Sequence, residues 1–411
     1  MPEIAEVART VHFIRKYLLN KTIAKCTATD DGNVYGKNAT GATTGADFAK
    51  HLTGRKIIDA NQQGKYFWII LDKPPHPVMH FGMSGWLKYK DEHTYYYRKK
   101  EGEEEEDWPP KFWKFNIETK AGKGEEVVQA AFTDMRRFAR IRLVDCPGDE
   151  IRDNSPLKEN GPDPVVDKDV VTVEWLKEKC HSKKVPIKAM LLDQANISGI
   201  GNWVGDEIMY NAKMHPEQYA NTLSDEQIEQ LHKSIHYICG TAVELLADSE
   251  QFPEDWLFKH RWGKGKKDAN KTLPNGQKIQ FLTVGGRTSA VIPSVQKKTG
   301  AVAKEMDEAV SGDEKPKKKK AKKEDEAGGD EKPKKRKAKK EESEDEEMED
   351  VKPTKVRSKK VKTEEVEQDK PAKSTKAKAK KAVNGVKAEE EKPEMNGTAD
   401  APRRSSRRSL K

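Results

Sequence analysis

Leu191–Glu207 reads LLDQANISGIGNWVGDE, an apolar run that is interrupted by turn-forming residues and then resumes. The interruption, Ala195–Asn202, holds two glycines and two asparagines in eight residues. Both residue types tolerate the left-handed backbone conformations of tight turns, so this segment predicts two consecutive turns. Helical spacing of apolar residues on either side predicts helices at Pro186–Gln194 and Trp203–Ala212.

The sequence around these turns continues the helical pattern and then changes to strands. Two further helices are predicted at Asp169–Cys180 and Ser224–Ala247. Downstream, Lys278–Lys297 reads as two short strands around Val284-Gly285-Gly286-Arg287, which is the pattern of a β-hairpin.

The first part of the chain is rich in predicted strands. Residues 2–18 predict a helix, because Pro2 suits a first turn and Glu3 suits the positive end of the helix dipole. Six strand-like runs follow it: Ile57–Asp59, Tyr66–Leu71, Trp86–Tyr89, Phe112–Ile117, Val127–Phe132 and Arg140–Val144. A sheet must bury its apolar face against another layer, so we expect a β-sandwich.

Residues 301–411 differ in composition from the rest of the chain. They contain 34 Lys and Arg, 27 Asp and Glu, and none of the 29 aromatic residues. Burial of the few apolar groups in this segment cannot offset the conformational entropy that the chain would lose on folding. We therefore expect a disordered tail. Two similar blocks, GDEKPKKKKAKKE at Gly312–Glu324 and GDEKPKKRKAKKE at Gly329–Glu341, predict import into the nucleus. A polyelectrolyte without an address is the alternative.

The patterns together predict an α+β protein. We expect an N-terminal helix and β-sandwich domain at residues 2–150, a helical domain at 151–265, a hairpin at 266–298 and the tail at 299–411. The four cysteines, Cys26, Cys146, Cys180 and Cys239, form no C-x-x-C pair, which favours a reducing compartment and argues against a cysteine zinc site. No apolar run reaches the ~18 residues of a membrane helix, and the charged N-terminus does not resemble a signal peptide.

The N-terminus itself offers a candidate reactive group. A residue after Met1 as small as Pro2 normally permits removal of the initiator methionine, which would leave a free secondary amine. An α-amino group has a pKa near ~8, against ~10.4 for lysine, so roughly a quarter of it is neutral and nucleophilic near pH ~7.5. Attack of a secondary amine on a sugar C1′ yields an iminium directly. Taken alone, Met-Pro-Glu would more simply open a helix.

Six further motifs follow MPEIAEV in a fixed order. They are QGKY at Gln63–Tyr66, HFGMSGWL at His80–Leu87, TDMRRF at Thr133–Phe138, NGPDP at Asn160–Pro164, the Leu191–Glu207 stretch, and GGRTSAVIPSVQK at Gly285–Lys297. This set resembles the formamidopyrimidine-DNA glycosylase/endonuclease VIII family over nearly all of residues 2–298. The resemblance implies a helix–two-turns–helix domain and a bifunctional DNA glycosylase and AP lyase. It also implies a monomer that acts on damaged double-stranded DNA, without a cofactor or a membrane.

The resemblance implies catalytic roles at four positions. Pro2 would be the nucleophile that forms the imine, and Glu3 would protonate the deoxyribose ring oxygen. Lys65 would bind a phosphate near the lesion and assist elimination. Arg287, on the hairpin called the finger, would reach the phosphates of the lesion.

Other positions are implied to hold the DNA. A damaged base reacts at its sugar only after leaving the stack, and the gap must be filled. The resemblance gives this task to Met83 on a loop tip and to Arg136 and Phe138, two residues apart on one strand face; core packing is the alternative for Met83 and Phe138. Backbone N–H groups of the double turn would hold a phosphate, with contacts from Asn202 and Lys188. For Glu207, a structural role and a site-ordering role remain open.

Two departures from the family pattern refine these expectations. Many relatives carry a C-x-x-C where this chain has Ile292-Pro293-Ser294-Val295, so it resembles the zincless-finger branch of plants and fungi and no metal is expected. Only a short stretch, Asp248–Trp262, links the last long helix to the basic region that precedes the hairpin. The absence of a longer capping loop implies weak action on 8-oxoguanine and better action on formamidopyrimidines and hydantoins.

Two other functions stay open. One is a glycosylase of the same family that prefers oxidised pyrimidines. The other is a non-catalytic protein that binds DNA or chromatin, which the Lys-rich tail would suit through non-specific phosphate contacts. The presence of Pro2, Glu3 and Lys65 together argues against this second alternative.

Overall fold

A computed structural model describes residues 1–38, 41–92, 94, 107–122, 126–262, 264 and 272–299. The tail predicted at 299–411 lies outside the described residues, apart from Thr299.

The first helix, α1 (Ile4–Leu18), contributes to two hydrophobic cores. Ile4 and Ala5 pack in the core of the helical domain, whereas Val7, Val11 and the apolar residues after them pack in the core of the β-sandwich. The helix starts two residues later than predicted, because the backbone of Glu3 is extended (φ −115°, ψ −167°). The Pro2 nitrogen therefore lies before the helix and outside its hydrogen-bond ladder.

The strands and short helices of the first domain are β1 (Ile23–Ala28), α2 (Gly32–Tyr35), β2 (Lys37–Asn38), β3 (Gly41–Ala42), α3 (Gly45–Leu52), β4 (Ile57–Gln63), β5 (Tyr66–Leu71), β6 (His76–His80), β7 (Trp86–Tyr89), β8 (Trp113–Thr119), β9 (Gln129–Thr133) and β10 (Arg140–Val144). Eight of these strands form two four-stranded antiparallel sheets, in the orders β1-β8-β9-β7 and β10-β6-β5-β4. The apolar faces of the two sheets enclose one core together with α1 and α3, which confirms the predicted sandwich.

The sequence did not predict β6, an inner strand of its sheet. It contains Pro77, which lacks the N–H that a central strand needs. β6 pairs with β5 only from Val78 to His80, and Pro77 pairs with Leu143 of β10. The proline therefore lies beyond the segment in which β6 has a partner on both sides.

Four helices form the second domain around their own core: α4 (Val173–His181), α5 (Ile187–Leu192), α6 (Asn202–Asn211) and α7 (Asp225–Glu244). All four were predicted, with ends that differ by up to four residues. Short 3₁₀ helices lie at Ile151–Asp153, Ala220–Thr222 and Leu257–His260. The double turn between α5 and α6 is present at the predicted position.

The predicted hairpin consists of β11 (Gln280–Val284) and β12 (Arg287–Val291). Gly285 and Gly286 form its two-residue turn, and their positive φ values of 58° and 75° are those that such a hairpin turn requires. Its base is closed by an apolar cluster of Leu257, Leu273, Ile279, Ala290 and Ile292. Ile292, the first residue of the segment that stands where many relatives carry a C-x-x-C, is fully buried.

Three further observations concern the described part of the chain. No helix there is both long enough and apolar enough to cross a membrane. No group of three or more His, Cys, Asp or Glu side chains converges as a metal site would require. The four cysteines are unpaired and buried.

The two domains meet where glycines leave no room for side chains. A Cβ at Gly201 would lie 2.2 Å from the carboxyl carbon of Glu3, and a Cβ at Gly64 would lie 2.5 Å from the Cβ atom of Ser198. The Ile4 N–H donates to the Gly199 carbonyl at 3.1 Å across the same contact. The start of α1 and the β4–β5 turn thus pack directly against the backbone of the double turn.

Gly201→Ala should destabilise the fold, because the added methyl group must displace the Glu3 carboxylate from its backbone partners. We expect the free energy of unfolding to fall by about 1–3 kcal/mol, as for other overpacked sites. Gly240→Ala on α7 is the control, since a Cβ there meets nothing within 4 Å and alanine favours a helix. Urea unfolding measures both, and equal stabilities of the two variants would contradict the expectation.

Candidate active site

The carboxylate of Glu3 is bound by the N-terminus of α6. Its Oε2 accepts hydrogen bonds from the N–H groups of Gly201 (2.9 Å) and Val204 (3.0 Å), and its Oε1 accepts one from Trp203 (3.0 Å). The first N–H groups of a helix lack partners within the helix and carry the positive end of its dipole. Glu3 is only 2% exposed, so these bonds hold the adjoining Pro2, itself buried, against the helical domain.

A second carboxyl group, that of Glu6, lies one helical turn further on. Its Oε2 accepts from the Glu3 N–H (2.9 Å) and its Oε1 accepts from the Trp203 indole N–H (3.2 Å). Burial, assisted by the nearby Glu3 carboxylate, raises the pKa of Glu6 to about 7. The sequence pattern assigned Glu6 no role beyond complementing the dipole of α1, although the residue lies within MPEIAEV.

Lys65 occupies the turn between β4 and β5. The turn is held by Gly64, whose N–H donates to Asp163 Oδ2 at 2.7 Å. Lys65 is 7% exposed, and its burial lowers the pKa of the amine to about 8; the Glu3 carboxylate opposes this shift and the Arg287 guanidinium adds to it. An amine with such a pKa can both bind a phosphate and exchange a proton near neutral pH.

The four predicted catalytic residues belong to three parts of the chain: the N-terminus, the β4–β5 turn and the finger. The Glu3 and Arg287 charges shift the pKa of the Lys65 amine in opposite directions. Arg287 is half-buried at the first position of β12. Pro2 is two residues before α1 and adjoins the bound Glu3.

The three predicted void-filling residues lie on two loops. Met83 is half-buried in the turn between β6 and β7, whereas Arg136 and Phe138 are exposed. The prediction that the latter two share a strand face is wrong, because β9 ends at Thr133 and β10 begins at Arg140. Phe138 is 48% exposed and lies 5.2 Å from the Arg136 guanidinium, so it is not a core residue.

A buried carboxylate, Asp134, holds these two loops together. Its Oδ1 accepts from the Ser84 hydroxyl (2.6 Å) and from the Arg136 N–H (3.1 Å), and its Oδ2 accepts from the Ala139 N–H (2.7 Å). Asp134 has no exposed surface. Because Ser84 adjoins Met83, this one side chain sets the relative position of all three void-filling residues.

Arg137 fixes the same loop from its other side. It has a left-handed backbone (φ 59°) and donates from two nitrogens to the Asp31 carboxylate at 2.9 and 3.0 Å. Lys114 donates to the same carboxylate at 3.0 Å. Burial acts to raise the pKa of Asp31, but these hydrogen bonds outweigh it and hold the pKa at about 2. The left-handed backbone of Arg137 lies between Arg136 and Phe138, whose side chains are both exposed.

The structure corrects the prediction for Lys188. This residue on α5 has no exposed surface, so its ammonium cannot contact a DNA phosphate directly. It donates instead to the side-chain oxygen of Asn202 (2.8 Å), to Ser289 Oγ (2.7 Å) and to Asp206 Oδ1. Asn202 is half-buried at the first position of α6, and Lys188 orients its amide.

Glu207 has a structural role. Its carboxylate accepts the N–H groups of Leu257 and Phe258, both at 2.9 Å, and it is 1% exposed. Burial raises the pKa of Glu207 to about 8 against the effect of these two bonds. The residue thereby ties the Asp248–Trp262 stretch to α6.

Two family models match consecutive parts of the chain. The formamidopyrimidine-DNA glycosylase N-terminal domain matches residues 1–141, and the H2TH domain of the same glycosylase matches residues 161–254. A formamidopyrimidine-DNA glycosylase of Arabidopsis thaliana is 40% identical over 300 residues, which cover 73% of this chain and 72% of that protein. The chain belongs to the formamidopyrimidine-DNA glycosylase family. Similarity to a plant protein is consistent with the predicted zincless branch.

More distant relatives agree with this family. A formamidopyrimidine-DNA glycosylase of Pelotomaculum thermopropionicum is 29% identical over 270 residues, covering 61% of this chain and 85% of that protein. The glycosylase of Lactococcus lactis, solved with DNA containing an AP site, has a TM-score of 0.57 at 24% identity and covers 72% of this chain and 100% of its own. MutM in complex with DNA containing carbocyclic 8-oxo-G gives the same values. These likenesses confirm the α+β fold.

Titration of Glu6 should make the free energy of unfolding of this glycosylase depend on pH. Its folded-state pKa of about 7 exceeds the ordinary value of 4.5, so its contribution is complete below about pH 4.5 and is lost as the pH rises through about 7. The free energy of unfolding of the wild type minus that of Glu6→Gln should therefore fall between about pH 5 and about pH 7.5, by on the order of 2 kcal/mol. Urea unfolding at both pH values measures the difference.

Glu178→Gln provides the control for this titration, because Glu178 is exposed on α4. Its difference from the wild type should stay constant over the same range. A Glu6→Gln difference that is equally constant would show that the buried carboxyl group does not titrate as expected.

Proposed function

We propose that this glycosylase removes oxidised purines from double-stranded DNA through an imine at its N-terminal proline, and then cleaves the strand. As a member of its family the chain is a DNA glycosylase of base excision repair. One observation carries the finer proposal: three N–H groups at the start of α6 bind the Glu3 carboxylate, and these bonds hold the adjoining Pro2 in a buried position before α1.

The chemistry starts at the Pro2 nitrogen after removal of Met1. The amine forms a bond to the sugar C1′ as the glycosidic bond breaks and the damaged base leaves with the bonding electrons. The Glu3 carboxylate takes the proton that the Pro2 nitrogen loses and passes it to the ring oxygen, so that the sugar opens to an iminium. The iminium makes the C2′ proton acidic. Its loss expels the 3′ phosphate by β-elimination, and a subsequent δ-elimination expels the 5′ phosphate. Lys65, with its pKa of about 8, assists these proton transfers.

The exposed loops support extrusion of the damaged nucleotide. Met83, Arg136 and Phe138 enter the space that the flipped base leaves, and Phe138 already presents nearly half of its surface to solvent. Asn202 and Arg287 bind phosphates on either side of the lesion, whereas the Gly199 and Gly201 N–H groups of the double turn donate to Gln194 and Glu3. The Lactococcus lactis relative was solved on DNA containing an AP site, which supports damaged DNA as the substrate.

We propose formamidopyrimidines and hydantoins as preferred lesions, with weak action on 8-oxoguanine. The support is the short Asp248–Trp262 stretch, whose Leu257 and Phe258 N–H groups are bound by Glu207. A segment held to α6 in this way offers little length for a cap over the flipped base.

Borohydride trapping on a panel of lesion duplexes tests the proposal. The wild type should form a reduced adduct on the tryptic peptide Pro2–Arg9, free of Met1, as read by mass spectrometry. Pro2→Gly should excise bases more slowly by about tenfold or more, because a primary amine must gain a proton before its imine is cationic. Formamidopyrimidine and hydantoin duplexes should be processed faster than 8-oxoguanine duplexes.

Lys65→Ala supplies the matched comparison, since it removes the competing amine of the site. It should still be trapped at Pro2 while strand cleavage slows. An adduct on a lysine, or Met1 retained in the trapped chain, would overturn the mechanism. Faster excision of oxidised pyrimidines or of 8-oxoguanine would leave the mechanism intact and reverse the lesion preference.

We also propose that residues 301–411 direct the glycosylase to the nucleus and bind DNA without sequence preference. The two basic blocks and the excess of Lys and Arg support both roles. A chain truncated after Gly300 should bind undamaged duplex more weakly at low salt and equally at high salt, measured by fluorescence anisotropy. Unchanged low-salt affinity would exclude the tether, and unchanged nuclear accumulation of a fluorescent fusion would exclude the import role.

A further inference from the structure

A buried ionic network joins α5, α6, the Leu257–Trp262 segment and the finger. Its centre is Asp206 on α6, which is 1% exposed. Its Oδ2 accepts from an Arg261 guanidinium nitrogen (2.7 Å) and from the Ala290 N–H (3.0 Å), and its Oδ1 accepts from Lys188 Nζ. One carboxylate therefore contacts two cations and the backbone of a finger strand.

Lys188 extends the network to both predicted phosphate-binding elements. Besides Asp206, its ammonium donates to Asn202 Oδ1 in the double turn and to Ser289 Oγ in the finger. An ammonium has three N–H donors, and these three acceptors, with the Thr288 carbonyl at 3.5 Å as a longer fourth contact, define its position. The amide orientation of Asn202 and the position of β12 are thereby coupled through one nitrogen.

The strand geometry connects these anchors to Arg287. Ser289 and Ala290 are two and three residues after Arg287 on β12. Side chains at positions i and i+2 of a strand share a face, so the Arg287 side chain leaves the strand on the face that Ser289 turns toward Lys188. The anchors lie within about 10 Å of the Arg287 backbone, given ~3.3 Å per residue.

The energetics make Asp206 the critical member. The apolar cluster under the hairpin supplies stability, but hydrophobic contact is non-directional and does not by itself fix the orientation of β12. Hydrogen bonds to a buried charge are directional. Without the Asp206 carboxylate, Lys188 and Arg261 would be buried cations that lack their shared counter-charge, so the packing around them would have to change.

We propose that Asp206 is a positioning residue that sets the geometry of both predicted phosphate contacts, Arg287 and Asn202, and thereby anchors the finger to the helical domain without a metal. The inference rests on the proposed function, since it assigns these two residues to the DNA phosphates. Asp206 itself touches neither the substrate nor the reacting atoms; it acts through Lys188 and β12.

Asp206→Asn is the test, because it keeps the size of the side chain and replaces one accepting oxygen with a donor. We expect Kd for a duplex with a tetrahydrofuran abasic analogue, and KM for excision, to rise by about tenfold or more, while kcat at saturating DNA changes by less than about threefold. Fluorescence anisotropy gives Kd and multiple-turnover kinetics gives the other two. Asp225→Asn, which removes an exposed helical partner of Lys177, should leave all three unchanged.

A double-mutant cycle separates positioning from general destabilisation. If Asp206 acts through Arg287, then Asp206→Asn should weaken binding much less in an Arg287→Ala background than in the wild type. Equal weakening in both backgrounds, or a wild-type Kd for Asp206→Asn, would overturn the inference. Binding to the abasic analogue needs no chemistry, so absence of borohydride trapping in the wild type would refute the proposed function and leave this readout valid.

If thermal unfolding shows that Asp206→Asn does not fold, Ser289→Ala tests the coupling between the network and Arg287 instead. This variant keeps every charge and removes only the hydroxyl that accepts from Lys188. A raised Kd that disappears in the Arg287→Ala background supports the coupling. A Kd equal to that of the wild type overturns it.

Discussion

The contact of the Glu3 carboxylate with the first N–H groups of α6 is the constraint on which the rest of this glycosylase depends. Three donors at the positive end of a helix dipole hold one buried carboxylate. Because Glu3 adjoins Pro2, the same bonds determine where the N-terminal nitrogen lies. The proposed nucleophile therefore belongs to one end of the chain but takes its position from a helix that begins two hundred residues later.

This contact also explains how two domains with separate cores form one site. α1 contributes its first residues to the helical core and the remainder to the sandwich core, so it cannot shift relative to either without exposing apolar surface. Gly64 allows the β4–β5 turn to approach the Gly199 backbone, and Gly201 leaves room for the Glu3 carboxylate. The β4–β5 turn that carries Lys65 is thus set against the same double turn that binds Glu3.

Buried carboxylates are the recurrent means by which loops are positioned here. Asp134 joins the two void-filling loops, Asp163 holds the β4–β5 turn, Asp206 holds the finger and Glu207 holds the segment before it. Asp163, Asp206 and Glu207 accept backbone N–H groups from elements distant in sequence, and Asp134 accepts the hydroxyl of the distant Ser84. A carboxylate has two oxygens and can satisfy several donors at once, so one residue defines the position of a whole loop in a direction that apolar packing leaves free.

The sequence by itself determined the local structure and supplied the candidates for the reactive groups. Periodicity located α1, the four helices of the second domain and most strands, and the glycines located the double turn and the finger turn, since these features depend on neighbouring residues. Motif order brought Pro2, Glu3, Lys65 and Arg287 into one hypothesis. The position of β6 was missed because its proline is acceptable only once its partner strands are known.

Only the tertiary structure decided which side chains face one another. It buried Lys188, which the sequence had assigned to the DNA, and it gave Asp134, Asp206 and Glu6 their roles although all three lie inside the quoted motifs. It also moved Arg136 and Phe138 from a strand to a loop. The physical reason is that burial and hydrogen-bond partnership are set by contacts between residues far apart in the chain, whereas a motif records only the spacing of its own members.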